Sequence, residues 1–149
     1  MSLKQKVFTS CIKLLDTKIE ALKKELMELQ QGVENDSKSS AGDKHETARA
    51  MMQIEYEKLS VMLNDQLYKK SDLEKTDIKS VTGKIKNGSL VKTNYGYLFL
   101  GPTVGKIIVD DIAVMTVSLQ SPIGLKLSGQ KVGNSIEVNG MNYVVENIA

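Results

Sequence analysis

At 149 residues, with 41% hydrophobic and 26% charged side chains, the chain has an ordinary globular composition that excludes wholesale disorder and leaves room for one domain or two small ones. A net charge of +2 is too small to draw nucleic acid by long-range attraction alone; a single cysteine excludes a disulfide framework and a cysteine-based zinc site, and with one histidine beside it the familiar Cys/His catalytic arrangements are hard to build. The opening MSLKQKVFTSCIKLL has no uncharged apolar stretch of membrane or signal-peptide length, so a soluble cytoplasmic protein with no membrane partner is expected.

From Phe8 the apolar residues Ile12, Leu15, Ile19, Leu22, Leu26, Leu29 and Val33 follow one another at alternating spacings of four and three. That is the seam of a heptad helix, with Lys23, Lys24, Glu25 and Glu28 on its solvated side. The pattern ends at Gly32–Val33, and the polar stretch ENDSKSSAG predicts a loop near 33–43. A second helical run opens near Asp43 with Ala48, Met52, Tyr56, Leu59, Leu63 and Leu67 as its seam. A loop this short makes the helices antiparallel, and at ~1.5 Å per residue the hairpin reaches ~45 Å. The pairing of two seams within one chain predicts a monomer, with the hairpin over 1–75 and Cys11 inert beside the seam.

The grammar changes over 76–149. All 11 glycines except Gly32 and Gly42, and both prolines, lie there. SLVKT, GYLFL, KIIVDD, AVMTVSL, SIEVN and NYVVENI are short β-branched and aromatic runs bounded by turn residues. Asn139-Gly140 predicts a type I′ hairpin, and Asp110-Asp111 reads as a turn between strands. In SPIGLKLSG, Ser121 is placed as N-cap and Pro122 at the first helical position, with Gly129 at the end. The expected class is α+β: a coiled-coil hairpin, then a small antiparallel sheet with one short helix. Tyr95, Tyr97 and Phe99 read mostly as packing residues, with one available for an apolar contact surface.

Asp43 and Glu46 admit two readings. Spaced three apart before an apolar run, they form an Asp version of the capping box, worth ~1 kcal/mol to a helix. Two carboxylates at the tip of a hairpin are also a way to present oxygen ligands to a hard metal ion. His45 between them and the nearby acids Glu34 and Asp36 read as ordinary residues of a solvated loop and helix start.

SPIGLKLSGQKVGNSIEV resembles the signature of the bacterial Gre transcript-cleavage factors, through Ser121, Pro122, Gly129, Lys131, Val132 and Gly133. Gln130 is inserted between glycine and lysine, and Asn134 stands for the family's acid. The tip Gly42-Asp43-Lys44-His45-Glu46-Thr47-Ala48 is similar to the family's Gly-Asp-x-x-Glu-Asn-Ala, with Thr47 in place of asparagine. The family's Glu-Tyr-His-Ala-Ala continuation is absent, replaced by Arg49-Ala50-Met51-Met52-Gln53, and so is the usual opening motif of the first helix. The resemblance is therefore to a divergent member or a sister family; it spans the whole chain loosely, and its motif-level part covers the tip and residues 118–148.

The resemblance implies an FKBP-like second domain and a partner, RNA polymerase, whose secondary channel the hairpin enters. It implies no enzyme in its own right but a stimulator of the polymerase's own cleavage of backtracked RNA. Asp43 and Glu46 would be the catalytic and metal-binding pair, helping to hold a Mg²⁺ shared with the polymerase active centre and not bound tightly by this chain alone. Lys38, Lys44 and Arg49 are candidate contacts to RNA phosphates near the 3′ end. Two alternatives stand beside this: a secondary-channel regulator without cleavage activity, and a coiled-coil/FKBP-like protein-binding module. Isomerase activity is not expected, because of the two phenylalanines only Phe99 lies in the second half and there is no tryptophan.

Overall fold

The computed structural model describes the backbone of residues 1–37 and 43–149, and the side chains of these except 33–37 and 43–45. Two long helices, α1 (Leu3–Ser37) and α2 (Asp43–Glu74), precede six strands and one short helix. The strands are β1 (Leu90–Thr93), β2 (Gly96–Leu100), β3 (Lys106–Val109), β4 (Ile112–Val117), β5 (Ser135–Val138) and β6 (Met141–Ile148), and the helix α3 (Pro122–Leu127) sits between β4 and β5. By contact the chain forms two compact units, one of Leu15–Tyr68 and one of Met1–Leu14 with Lys69–Ala149. The α+β class stands.

In the unit Leu15–Tyr68 the α1 seam buries Leu15, Ile19 and Leu22 and half-buries Leu26 and Leu29. α1 continues past Gly32 to Ser37. On α2, Leu59 is buried while Ala48, Met52, Tyr56 and Leu63 are half-buried. Leu67 departs from the expected seam and is 39% exposed. The half-buried arc runs instead through Gln66 and Lys70 to buried Leu73. Spacings of three and four from Leu59 lead through these residues, and the aliphatic stem of a lysine can occupy such a position while its head reaches water.

The other unit contains the sheet, in the order β3-β4-β2-β1-β6-β5. Leu90, Phe99 and Val114 are buried in it, and so are Val7, Cys11 and Leu73 from the helix bases. Here too the seam differs from the periodic reading: Lys4, Val7 and Cys11 are the buried residues of the α1 base, while Phe8 and Ile12 are half-buried. A heptad pattern assumes one helical partner, whereas this segment shares its unit with the sheet, and a different arc is covered. A second cluster comprises Ile85, Val91, Leu98, Leu100, Val117, Leu127, Ile136 and Val145, with Ile123 and Tyr143 packed against it.

The expected antiparallel arrangement holds for four pairings, but β2 and β4 run parallel, in register from Tyr97↔Val114 to Leu100↔Val117. Residues 101–111 make the crossover that a parallel pair requires, and β3 is contained within it. Thr116 anchors the connection: its hydroxyl accepts the Val104 N–H (2.9 Å) and donates to the Gly105 carbonyl (2.8 Å). Asp110 and Asp111 then turn β3 into β4 with φ of 51° and 64°, and Asn139 and Gly140 join β5 to β6 with φ of 52° and 79°. Two successive positive φ values are the mark of a type I′ turn.

Candidate functional site

α2 counts Asp43 as its first helical residue, and a carboxylate in the first turn is favoured by the helix dipole. Glu46 lies three positions on and is exposed. At about 100° per residue, Glu46 sits about 60° from Asp43 around the helix and about 200° from half-buried Ala48. The carboxylate of Glu46 therefore belongs to the solvent face of α2, opposite the residues that turn inward. Arg49, one turn further, is exposed as well. The side chains of Asp43, Lys44 and His45 lie outside the described residues, as do those of Glu34 and Asp36 and the whole of Lys38 and Gly42.

Mg²⁺ takes oxygen ligands and is commonly held through one or two carboxylates while keeping several waters. Two acids one helical turn apart fit such a partial donor set. Among the described residues no group of three or more His, Cys, Asp or Glu could hold a metal ion, so nothing there builds a closed cage.

Among these polar residues α2 also exposes large apolar side chains. Met51 and Ile54 are each 66% exposed, and Val61 and Tyr68 are exposed further along α2. Three of these, Ile54, Val61 and Tyr68, recur every seven positions, so they share a stripe that the α1–α2 seam does not use. The seam logic of the sequence assigned no role to them.

The second motif forms a network around α3. Ser121 is the N-cap; its hydroxyl accepts the Gly124 N–H (3.1 Å) and donates to the Ser118 carbonyl (2.6 Å). Pro122 occupies the first helical turn, where a missing N–H costs nothing. Gly129 follows with a φ of 82°, and its N–H reaches the Ile85 carbonyl at 2.8 Å. Lys131 is exposed, its carbonyl accepting the Asn134 N–H (3.0 Å), while the Gly133 N–H donates to Val145 (2.8 Å). The two departures from the motif are joined: the Asn134 amide donates to Gln130 Oε1 at 2.8 Å. An aspartate at 134 would have no proton to give to that oxygen. These contacts fasten α3 and the final hairpin to the sheet, which is structural work.

Two of the cavities among the described residues open on the sheet unit. One, of about 450 Å³, is lined by Tyr95, Tyr97, Lys106, Met115, Met141 and Tyr143 among others, and Tyr95 meets Tyr143 edge to face at 5.0 Å. The other, of about 470 Å³, lies at the head of α1. Tyr97 and Phe99, two apart on β2, share a face; Tyr97 borders both cavities, whereas Phe99 is fully buried and lines neither.

Compared with known proteins, the chain matches no family model and no curated protein. Among solved structures it is similar to that of the transcription factor Gfh1, at 18% identity over 92% of both chains, with a TM-score of 0.37.

Proposed function

We propose that this chain is a transcription factor of the Gre type that works on RNA polymerase and stimulates the polymerase's own cleavage of backtracked RNA. The observation that carries the reading is the solvent-face position of Glu46 in the first turns of a 32-residue helix, with Asp43 heading that helix. A helix of that length delivers its first turn far from its base, into a channel too narrow for a globular domain. There the pair completes a metal site that it cannot build alone. Mg²⁺, when bound, supplies stabilisation of the leaving oxygen and an activated water. Asp43 contributes a ligand oxygen, and Glu46 either a second one or the acceptor that orients the water. Lys38, Lys44 and Arg49 supply positive charge for RNA phosphate near the 3′ end. The chain contributes no turnover by itself, and the setting is the cytoplasm.

A second reading keeps the polymerase and omits cleavage. It is favoured by Met51, 66% exposed on the turn after Glu46, where the family carries Glu-Tyr-His-Ala-Ala. One experiment separates them: purified polymerase stalled on a backtracked transcript, with this chain or its Asp43→Ala/Glu46→Ala double variant. Shortening of the RNA 3′ end by the wild-type chain and its loss in the variant support the first reading. Binding with no effect on cleavage in either supports the second, and absence of binding removes both.

A further inference from the structure

The stripe of α2 that the α1–α2 seam leaves uncovered has the spacing of a second seam. Ile54, Val61 and Tyr68 are 66%, 69% and 72% exposed, so most of each side chain meets water. With Met51, Lys58 and Asp65, exposed as well, they follow one another at alternating spacings of three and four, all within the unit Leu15–Tyr68. At about 100° per residue the six fall in an arc of about 100°, and buried Leu59 lies about 140° round the helix from Ile54. Apolar residues scattered singly over a surface need no explanation, but four aligned on one helix face mark an interaction site.

The two charged members of the stripe say what fits it. Ile54 and Tyr68 stand seven positions to either side of Val61, while Lys58 lies three before it and Asp65 four after it. Reversed in direction, the stripe therefore presents apolar residues to its own apolar residues and each charge to its opposite. A second copy laid antiparallel, with the two-fold axis beside Val61, sets Val61 against its own counterpart. It also sets Ile54 against Tyr68 of the second copy, and Lys58 against Asp65 of the second copy. Two-fold symmetry repeats each contact, so two Lys–Asp pairs and two Ile–Tyr contacts flank the central valines. A parallel pair would bring each layer onto itself, lysine on lysine and aspartate on aspartate, which is repulsive. An apolar helix of another protein would strip water from both charges and answer neither.

We propose that the chain forms an antiparallel homodimer through this face of α2. The monomer expected from the sequence rested on the α1–α2 seam, which the second seam leaves intact. From Met51 to Tyr68 the contact runs along about 27 Å of helix, which makes it a small, reversible interface. It uses neither Asp43 nor Glu46 and stands independently of the polymerase reading.

The test is sedimentation of the full chain over a wide range of concentration, for the wild type, Lys58→Glu, Asp65→Lys, the double exchange, and an equimolar mixture of the two single variants. Both positions are exposed, and far-ultraviolet circular dichroism checks that each variant keeps its helices. Expected are reversible dimers of the wild type and at least about tenfold weaker association of each single variant, since each change creates two like-charged contacts across the axis. The double exchange should regain wild-type association to within about threefold, because it restores opposite charges at both contacts. The mixture should associate as well, each altered side chain meeting the other chain's altered one and the native Asp65 of one chain meeting the native Lys58 of the other. Rescue on mixing cannot arise from a change within one helix. A monomer at every concentration, a dimer indifferent to the single changes, or single variants that stay apart when mixed would each overturn the proposal.

Discussion

Replacing Gly124 by alanine is expected to destabilise the protein by about 2 kcal/mol, against the usual gain for that change in a helix. Alanine exceeds glycine in helix propensity by up to ~1 kcal/mol, and Gly124 lies within α3. But a Cβ there would lie 1.9 Å from the Ser118 carbonyl oxygen, 2.8 Å from its carbon and 2.9 Å from Leu119 Cα. All three atoms are backbone, so relief requires α3 or the segment before it to move by about 1.5 Å to restore ordinary contact. That motion strains the Ser121 cap, whose hydroxyl bridges Gly124 and Ser118, at a cost of ~1 kcal/mol. It also displaces Leu127, which is fully buried in the cluster under α3, and overpacking of this kind costs a further ~1–3 kcal/mol. The sum exceeds the propensity gain by about 2 kcal/mol, or roughly 4–8 °C in melting temperature for a chain of this size. Urea unfolding followed by circular dichroism measures it. A variant as stable as the wild type, or more so, would refute the close approach of α3 to Ser118.

Gly32→Ala is the counterpart: the nearest atom to its Cβ is Met52 Cε at 3.8 Å, so the same change should stabilise α1 by ~0.5–1 kcal/mol, read as a higher thermal midpoint of the 222 nm signal. Cys11 is 1% exposed and burial pushes its thiol up to about 11, so alkylation at pH 8 should be at least about a hundredfold slower in the native chain than in urea. Because the folded state keeps that proton after the unfolded state has lost it, stability should fall as pH rises from about 9 towards 11, and Cys11→Ala should remove that slope in a series of melts. Asp77 is held down to about 2, first by the Lys79 N–H, then by the hydroxyl and N–H of Ser80, with Lys86 adding to them. An NMR titration of its carboxyl carbon should therefore show a midpoint near 2, moving upward in Ser80→Ala; the associated stabilisation is present above about 4 and is lost as pH falls towards 2.

The sequence alone determined the elements whose patterns are local. Heptad spacing located the α1 seam from Leu15 to Leu29, and Asn139-Gly140 with Asp110-Asp111 located the two tight turns, because these depend on side-chain period and permitted φ over a few residues. The acids of the candidate site were legible in the same way, as a helix-start pattern, and the Gre-type role proposed for them rests on resemblance. Tertiary structure decided what depends on a distant partner. It moved burial at the α1 base to Lys4, Val7 and Cys11, since the sheet shares that unit, and it replaced Leu67 by Gln66 and Lys70 along α2. It set β4 parallel to β2, which no pattern within either strand encodes. It also buried the ammonium of Lys4 with no hydrogen-bond partner among the described residues. A lysine in a solvated helix and a lysine under a sheet read identically in sequence, because burial depends on which surfaces fold against it.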